Sequence, residues 1–303
     1  MMIAADDAAR LRKAGYVIVG SHSAAKVCLW TKRALLDRGF CYKQKFYGIS
    51  SHRCLQMTPT LPFCTQRCLF CWRDTRLFST KWEGEADEPA GIIDGCVDAQ
   101  RLLLNGFKGN PDINLAKFKE AQNPNQAAIS LDGEPTLYPQ IGEMIAEFKR
   151  RDFTTFLVTN GTNPKTLASL PVLPTNLYVS SCAPDEATYK KVCAPTIRNG
   201  WKRLNETLAL FPSLKTRKVM RLTLVRGLNL KDADGYAKLI AKAEPDFVEA
   251  KAYMALGASR LRLGPDYMPT HEEIRAFAKE LADASGYKYK DEQTESRVVL
   301  LCK

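Results

Sequence analysis

The chain has 303 residues, enough for one large or two ordinary domains with a full core. Hydrophobic residues make up 45% and charged residues 25%, globular values that exclude wholesale disorder. With 44 Lys and Arg against 33 Asp and Glu the formal net charge is +11, and the sequence shows neither an apolar run near the roughly 18 residues of a bilayer span nor a secretory h-region, so we expect a cytoplasmic protein, away from membranes, with an anionic partner.

The charge is uneven along the chain. Residues 1–81 hold 14 basic against 4 acidic residues, whereas residues 82–303 hold 30 against 29. A basic N-terminal quarter attracts a polyanion such as nucleic acid. Within it, 53–58 (RCLQMT) is the first predicted strand, and 82–88 (WEGEADE) is an acidic turn that closes the quarter. A helix is predicted over 89–106. Gly, Pro and Asn in 108–126 suggest a lysine-bearing excursion rather than core. Then follow strand 127–131 (AAISL), helix 137–150, strand 154–159 (TTFLVT), strand 176–180 (NLYVS), helices 185–192 and 199–209, and strand 218–225 (KVMRLTLV). Helix 231–243, strand 246–253 (DFVEAKAY), helix 270–284 and a last strand 296–302 (SRVVLLC) complete the chain. Short apolar runs joined by helical connections make a βα repeat, hence an α/β protein with a partial (β/α)6 barrel of TIM type and its site at the C-terminal strand ends. Residues 1–52 form an N-terminal extension to this barrel, which with the C-terminal strand covers 53–303, all in one compact unit.

Ten cysteines are many for a chain of this class, and six of them lie in the basic quarter. Disulfide scaffolding suits small secreted domains, so metal or cluster ligation is the better reading. Cys96, Cys182, Cys193 and Cys302 sit apart in apolar or mixed contexts and read as buried small hydrophobes. Cys64, Cys68 and Cys71 form a C-x3-C-x2-C motif that wraps one loop around one centre, with no His or fourth Cys in the ten residues after it. A structural zinc site wants four protein ligands, whereas an iron–sulfur cluster on three thiolates keeps one iron open for a substrate or cofactor. Cys28, Cys41 and Cys54 are each separated by twelve residues, a spacing for three segments that converge on one centre. His22 and His52 lie nearby, so on spacing alone zinc stays open there.

Cys64-Thr-Gln-Arg-Cys68-Leu-Phe70-Cys71 resembles the radical S-adenosylmethionine superfamily. The resemblance implies a [4Fe-4S] cluster whose open iron chelates the amino and carboxylate groups of S-adenosylmethionine, and cleavage of that cofactor to a 5′-deoxyadenosyl radical. Ser130-Leu-Asp132-Gly133-Glu134-Pro-Thr136 stands where the superfamily usually has Gly-Gly-Glu, so Asp132, Gly133 and Glu134, with Asn160 and Ser180 at later strand ends, are the implied cofactor-binding residues. Cys41 to Ile49 (CYKQKFYGI), Arg53 to Pro59 (RCLQMTP) and Cys71-Trp72-Arg73 resemble more narrowly the 4-demethylwyosine synthase family of the tRNA wybutosine pathway. So do SLDGEPTLYP (130–139), VTNGTNP (158–164), LYVSSCAP (177–184), RLTLVRGLN (221–229) and FVEAKAYMALGASRLRL (247–263). Two positions depart from that family: Asp132, where a small residue is expected, and Cys182, where Asp is expected.

This second resemblance implies a further [4Fe-4S] cluster on Cys28, Cys41 and Cys54. It also implies a reaction that joins N1-methylguanosine of phenylalanine tRNA to two carbons of pyruvate, the co-substrate, to build a tricyclic base. Lys43 is the implied Schiff-base lysine and Lys45 the fallback, against the plainer reading that both bind phosphate or face solvent. Arg73, Arg76 and Lys81 after the cysteine loop, and Arg260 and Arg262 after the sixth strand, are candidates for the anticodon arm, with Trp72, Phe78 and Trp82 as base platforms or, taken singly, as core. An external flavodoxin or ferredoxin would supply electrons, and we read the chain as a monomer. Two other readings remain: a two-cluster radical enzyme acting on a small molecule or protein, and a non-enzymatic zinc or ferredoxin-like module.

Overall fold

The structure, a computed structural model, describes residues 3–303. The chain divides into two compact units. One comprises the residues up to Phe63 with Lys81–Val158 and Leu170–Thr175, and the other Cys64–Thr80, Thr159–Ser169 and Asn176–Lys303.

The first unit contains strands β1 (Val17–Val19), β2 (Ser23–Ala25), β3 (Cys54–Thr58), β4 (Gln126–Ile129) and β5 (Thr154–Thr159). β1 and β2 form an antiparallel hairpin, β2 pairs antiparallel with β3, and β3, β4 and β5 are parallel with Cys54, Gln126 and Thr154 in register. β4 is buried along its whole length, as a strand covered on both faces must be. Helices Pro89–Leu104 and Ile141–Arg150 bury Ile92, Ile93 and Cys96, and Met144, Ile145 and Phe148, respectively. Pro89 opens its helix where a missing N–H costs nothing. The three-residue strands β1 and β2 are too short for a periodicity to announce.

The 108–126 segment is not an excursion outside the core. It contains helix Leu115–Ala121, capped by the Asn114 side chain, which accepts a hydrogen bond from the Lys117 N–H at 3.0 Å. Ala121 is buried with Val27, Leu35 and Leu104, and Phe107, Ile113 and Phe118 pack against them. The lysines of this stretch mask its apolar stripe, because long cationic side chains keep their heads in water while their neighbours are buried.

The second unit contains β6 (Asn176–Ser180), β7 (Arg217–Leu224), β8 (Phe247–Ala252), β9 (Lys288–Gln293) and β10 (Val298–Cys302). β6, β7 and β8 are parallel, β10 runs antiparallel beside β8, and β9 pairs antiparallel with β10 at the edge. β9 is absent from the sequence expectation because KYKDEQ has no apolar alternation, and its first three residues are exposed. A charged edge strand of this kind resists pairing with another chain. Side chains alternate across the sheet: Val179, Met220, Leu222, Val248 and Ala250 are fully buried on one face, while Tyr178, Ser180, Arg221, Glu249 and Lys251 share the other. Among the described residues no helix is long and apolar enough to cross a membrane.

Leu104 is fully buried against the reassigned segment. Leu104→Ala is expected to cost about 2–5 kcal/mol in urea unfolding. A loss below about 1 kcal/mol would mean that residues 105–121 do not complete this core.

Candidate active site

In the first unit three cysteine-bearing segments meet. Cys28 immediately precedes helix Leu29–Leu35, Cys41 precedes helix Tyr42–Tyr47, and Cys54 opens β3. Buried Ser51 ties them together. Its carbonyl accepts from Thr31 Oγ1 at 3.0 Å, its Oγ accepts from the Cys41 N–H at 2.9 Å, and its own N–H donates to Gln44 Oε1 at 3.0 Å. Burial pushes the Cys54 thiol up to about 12, the Lys43 ammonium opposes that shift, and the Cys28 and Cys41 sulfurs reinforce it. Three thiols and one amine therefore share a site.

Neither histidine joins them. His22 is fully buried, with Nδ1 2.6 Å from the Pro59 carbonyl and Nε2 2.9 Å from the Asp87 N–H, so both ring nitrogens are occupied. Burial lowers its pKa and favours the neutral ring that these two bonds require. His52 Nε2 lies 2.6 Å from Glu120 Oε2. Among the described residues no three His, Cys, Asp or Glu side chains stand close enough to hold one metal ion. A donor set of three thiols suits an iron–sulfur cluster, whose separate irons keep their thiolates apart.

Burial separates the two candidate lysines. Lys43 is 8% exposed, with Nζ 4.3 Å from the centroid of the Phe156 ring, whereas Lys45 is exposed.

At the end of β4, Gly133 has φ +68°, and a Cβ there would lie 1.9 Å from the Thr60 carbonyl oxygen. No other residue fits that approach. The Glu134 N–H donates to the Phe63 carbonyl at 2.8 Å, and Thr58 Oγ1 donates to the Asp132 carbonyl at 2.5 Å, stitching the β4 turn to the segment after β3. Asp132 Oδ1 accepts from the Gly133 N–H at 2.9 Å, and Oδ2 accepts from the Tyr16 hydroxyl at 3.3 Å. Glu134 Oε1 accepts from Thr136 N–H and Oγ1 at 3.1 and 2.6 Å. Both carboxylates thus serve the turn.

In the second unit the C-x3-C-x2-C loop is pinned to the segment that closes helix Glu186–Cys193. The Thr196 N–H donates to Thr65 O, Arg67 N–H to Ala194 O and Leu69 N–H to Val192 O, at 2.9, 3.0 and 2.9 Å. Arg262 clamps the far end, donating from Nε to Leu69 O at 3.2 Å and from Nη2 to the carbonyls of Cys71 and Arg73. Asn160 Nδ2 donates to Thr65 Oγ1 at 2.9 Å and lies 3.8 Å from Cys64 Sγ, which places this predicted cofactor residue beside the first cysteine of the loop. Cys64 is buried and Cys68 and Cys71 are half-buried. Ser180 is half-buried, in register with Arg221.

The expected tRNA contacts divide. Arg76, Lys81 and Arg260 are exposed. Arg73 is only 5% exposed, with its guanidinium 3.0 Å above the Trp72 ring, so it does not offer its charge to a phosphate in this conformation. Arg262 is half-buried and its donors are engaged by the loop carbonyls. Trp82 packs against His22 and Phe63 at 4.6 and 4.7 Å between ring centroids, a core arrangement, whereas Trp72 is 36% exposed. The sequence reading misses Glu249, fully buried yet charged, which accepts from Tyr178 Oη at 3.0 Å and from Arg221 Nε at 2.9 Å. The signal was available: Arg and Glu at matching places in otherwise apolar strand runs.

Comparison with known proteins places these features in a class. The Radical SAM superfamily model matches residues 58–240, which include the cysteine loop and the parallel strands β4 to β7, so fold and loop are those of a radical SAM protein. A second model, Wyosine base formation, matches residues 242–303. The S-adenosyl-L-methionine-dependent tRNA 4-demethylwyosine synthase of Pyrococcus horikoshii is 53% identical over 295 residues, covering 96% of this chain and 86% of that protein. The Methanocaldococcus jannaschii protein of the same name is 38% identical over 301 residues, covering 96% and 94%. A solved structure of TYW1 with a lysine-pyruvate adduct bound superposes with a TM-score of 0.91 at 37% identity, over 100% of this chain and 97% of that one. An archaeal TYW1 crystal structure gives 0.82 at 34% identity, over 99% and 96%. The chain belongs to the S-adenosyl-L-methionine-dependent tRNA 4-demethylwyosine synthase family.

Removing one partner from the Arg221–Glu249 pair strands a buried carboxylate. Arg221→Met is expected to cost about 3–5 kcal/mol in urea unfolding, and Arg221→Lys less. A loss within about 0.5 kcal/mol for Arg221→Met would show that the pair carries no structural burden.

Proposed function

We propose that this chain condenses N1-methylguanosine of phenylalanine tRNA with pyruvate to form 4-demethylwyosine, using two [4Fe-4S] clusters, one on Cys64, Cys68 and Cys71 and one on Cys28, Cys41 and Cys54. The observation that carries the reading is the three-thiol site of the first unit with buried Lys43 beside it, a combination that a generic radical SAM protein does not require. Bound S-adenosylmethionine would supply a 5′-deoxyadenosyl radical that takes hydrogen from the N1-methyl group.

The residues of the chain do the rest. Asn160 and Ser180 orient that cofactor beside the Cys64, Cys68 and Cys71 loop. Lys43 attacks the carbonyl carbon of pyruvate: a C–N bond forms, and the carbonyl oxygen leaves as water. The attacking amine must be neutral, so Lys43, whose ammonium sits over the Phe156 ring, gives up its proton before it attacks. A relative solved with a lysine-pyruvate adduct supports this assignment, as does the exposure of Lys45. The second three-thiol centre would hold the pyruvate carboxylate before that carbon is lost. Exposed Arg76, Lys81 and Arg260 contact tRNA phosphates, whereas Arg73 and Arg262 shape the cysteine loop. The chain acts as a cytoplasmic monomer that takes electrons from an external flavodoxin or ferredoxin.

Anaerobic reconstitution should give about eight irons per chain. Reduced protein given S-adenosylmethionine, pyruvate and methylguanosine-bearing tRNA should convert the methylated base to its tricyclic product, seen by nucleoside mass spectrometry. Deoxyadenosine released with no change in the tRNA would instead support a small-molecule or protein substrate. Borohydride with labelled pyruvate should label the wild type and Lys45→Ala but not Lys43→Ala. A labelled Lys43→Ala protein removes Lys43 from its role.

A further inference from the structure

Gln66 is bridged to Pro195, just beyond the end of helix Glu186–Cys193, with Arg67 N–H donating to Ala194 O and Leu69 N–H to Val192 O. These two hydrogen bonds flank Cys68 on one segment and Cys193 on the other and bring the two residues side by side. Cys193 is 2% exposed and its thiol is hydrogen-bonded to that of Cys68. On the other side, Cys68 Sγ–H donates to Gln66 Oε1 at 3.2 Å, and Gln66 Nε2 donates to the Tyr189 hydroxyl at 2.8 Å. Gln66 and Tyr189 are 5% and 1% exposed, so water does not relieve a mismatch here.

This pattern belongs to a protonated Cys68. A Cys68 thiolate on iron has no proton to give, and the buried Gln66 Oε1 would then face it as acceptor against acceptor. One rearrangement satisfies every group. The Gln66 amide turns over, so that Nε2 donates to Cys68 Sγ and Oε1 accepts from the Tyr189 hydroxyl, and the Cys193 S–H points at Cys68. Burial keeps the Tyr189 hydroxyl protonated and able to donate.

We propose that Gln66, held by Tyr189, and Cys193 are positioning residues that donate hydrogen bonds to the Cys68 thiolate and raise the reduction potential of the cluster it ligates. This rests on the reading that the Cys64, Cys68 and Cys71 loop binds a cluster. Donors to a ligating sulfur withdraw charge from it, which favours the more negative, reduced cluster.

The test is a redox titration of the anaerobically reconstituted full chain, followed by electron paramagnetic resonance, with iron counted in each variant. Cys193→Ala and Gln66→Leu should each lower the midpoint potential of one cluster and leave the other unmoved. Cys193→Ser, which keeps a donor, should stay near the wild type. Should Cys193→Ala fold poorly, Gln66→Glu decides, because it keeps the shape of the side chain but turns an acceptor toward the thiolate: a lowered potential at the same cluster supports the assignment. Variants that retain full iron and titrate at the wild-type potential overturn it. Cys68→Ala separates the two readings. Loss of about half the iron together with the responsive signal leaves the cluster assignment standing. A Cys68→Ala protein with wild-type iron and both signals refutes the cluster assignment itself, whatever the donors do.

Discussion

A sulfur buried without a metal must keep its proton. Burial pushes Cys54 up to about 12, and its hydrogen bond with Cys193, together with burial, drives Cys68 well above the ordinary thiol range. Under the proposed function, cluster binding replaces those protons, so cluster affinity contributes to fold stability. Much of the local architecture reads as a response to that demand. Ser51 gathers the three segments that bear Cys28, Cys41 and Cys54, while Arg262 and the backbone hydrogen bonds with residues 192–196 hold Cys64, Cys68 and Cys71. Each set supplies three sulfurs and no histidine, so under the proposed function each would leave one iron of a cluster open for a ligand.

The cations sort by the same logic. Lys43 lies near the half-buried cysteines of the first unit, where its charge eases the ionisation of Cys54, and Arg262 spends its donors on carbonyls of the cysteine loop. Arg73 is stacked and buried. The basic surplus of the N-terminal quarter is therefore partly internal equipment. The exposed remainder is what a polyanion meets, and phosphate contacts of that kind position a substrate without reading its sequence.

The parallel strands were legible because both of their faces are covered, which forces continuous apolar runs such as AAISL and TTFLVT. Edge strand β9 was not, since an edge favours charge over alternation, and helix Leu115–Ala121 was hidden by its own lysines. Both departures from the family pattern now have a setting. The Asp132 carboxylate holds Tyr16, and Cys182 is 2% exposed, its carbonyl accepting from Asn229 Nδ2 at 2.7 Å. Of the four cysteines read as core filler, Cys96 and Cys182 are buried in keeping with that reading. Cys193 is buried too, but its partner stands 125 residues earlier in the chain, a pairing that no local spacing encodes.

Hydrogen transfer from the tRNA separates this chemistry from every alternative. Phenylalanine tRNA carrying deuterium in the N1-methyl group of its methylguanosine should pass one deuterium to the 5′-deoxyadenosine released by the reduced, reconstituted chain in the presence of pyruvate. Deoxyadenosine that forms without deuterium, while the labelled methyl group stays intact, would contradict the assignment.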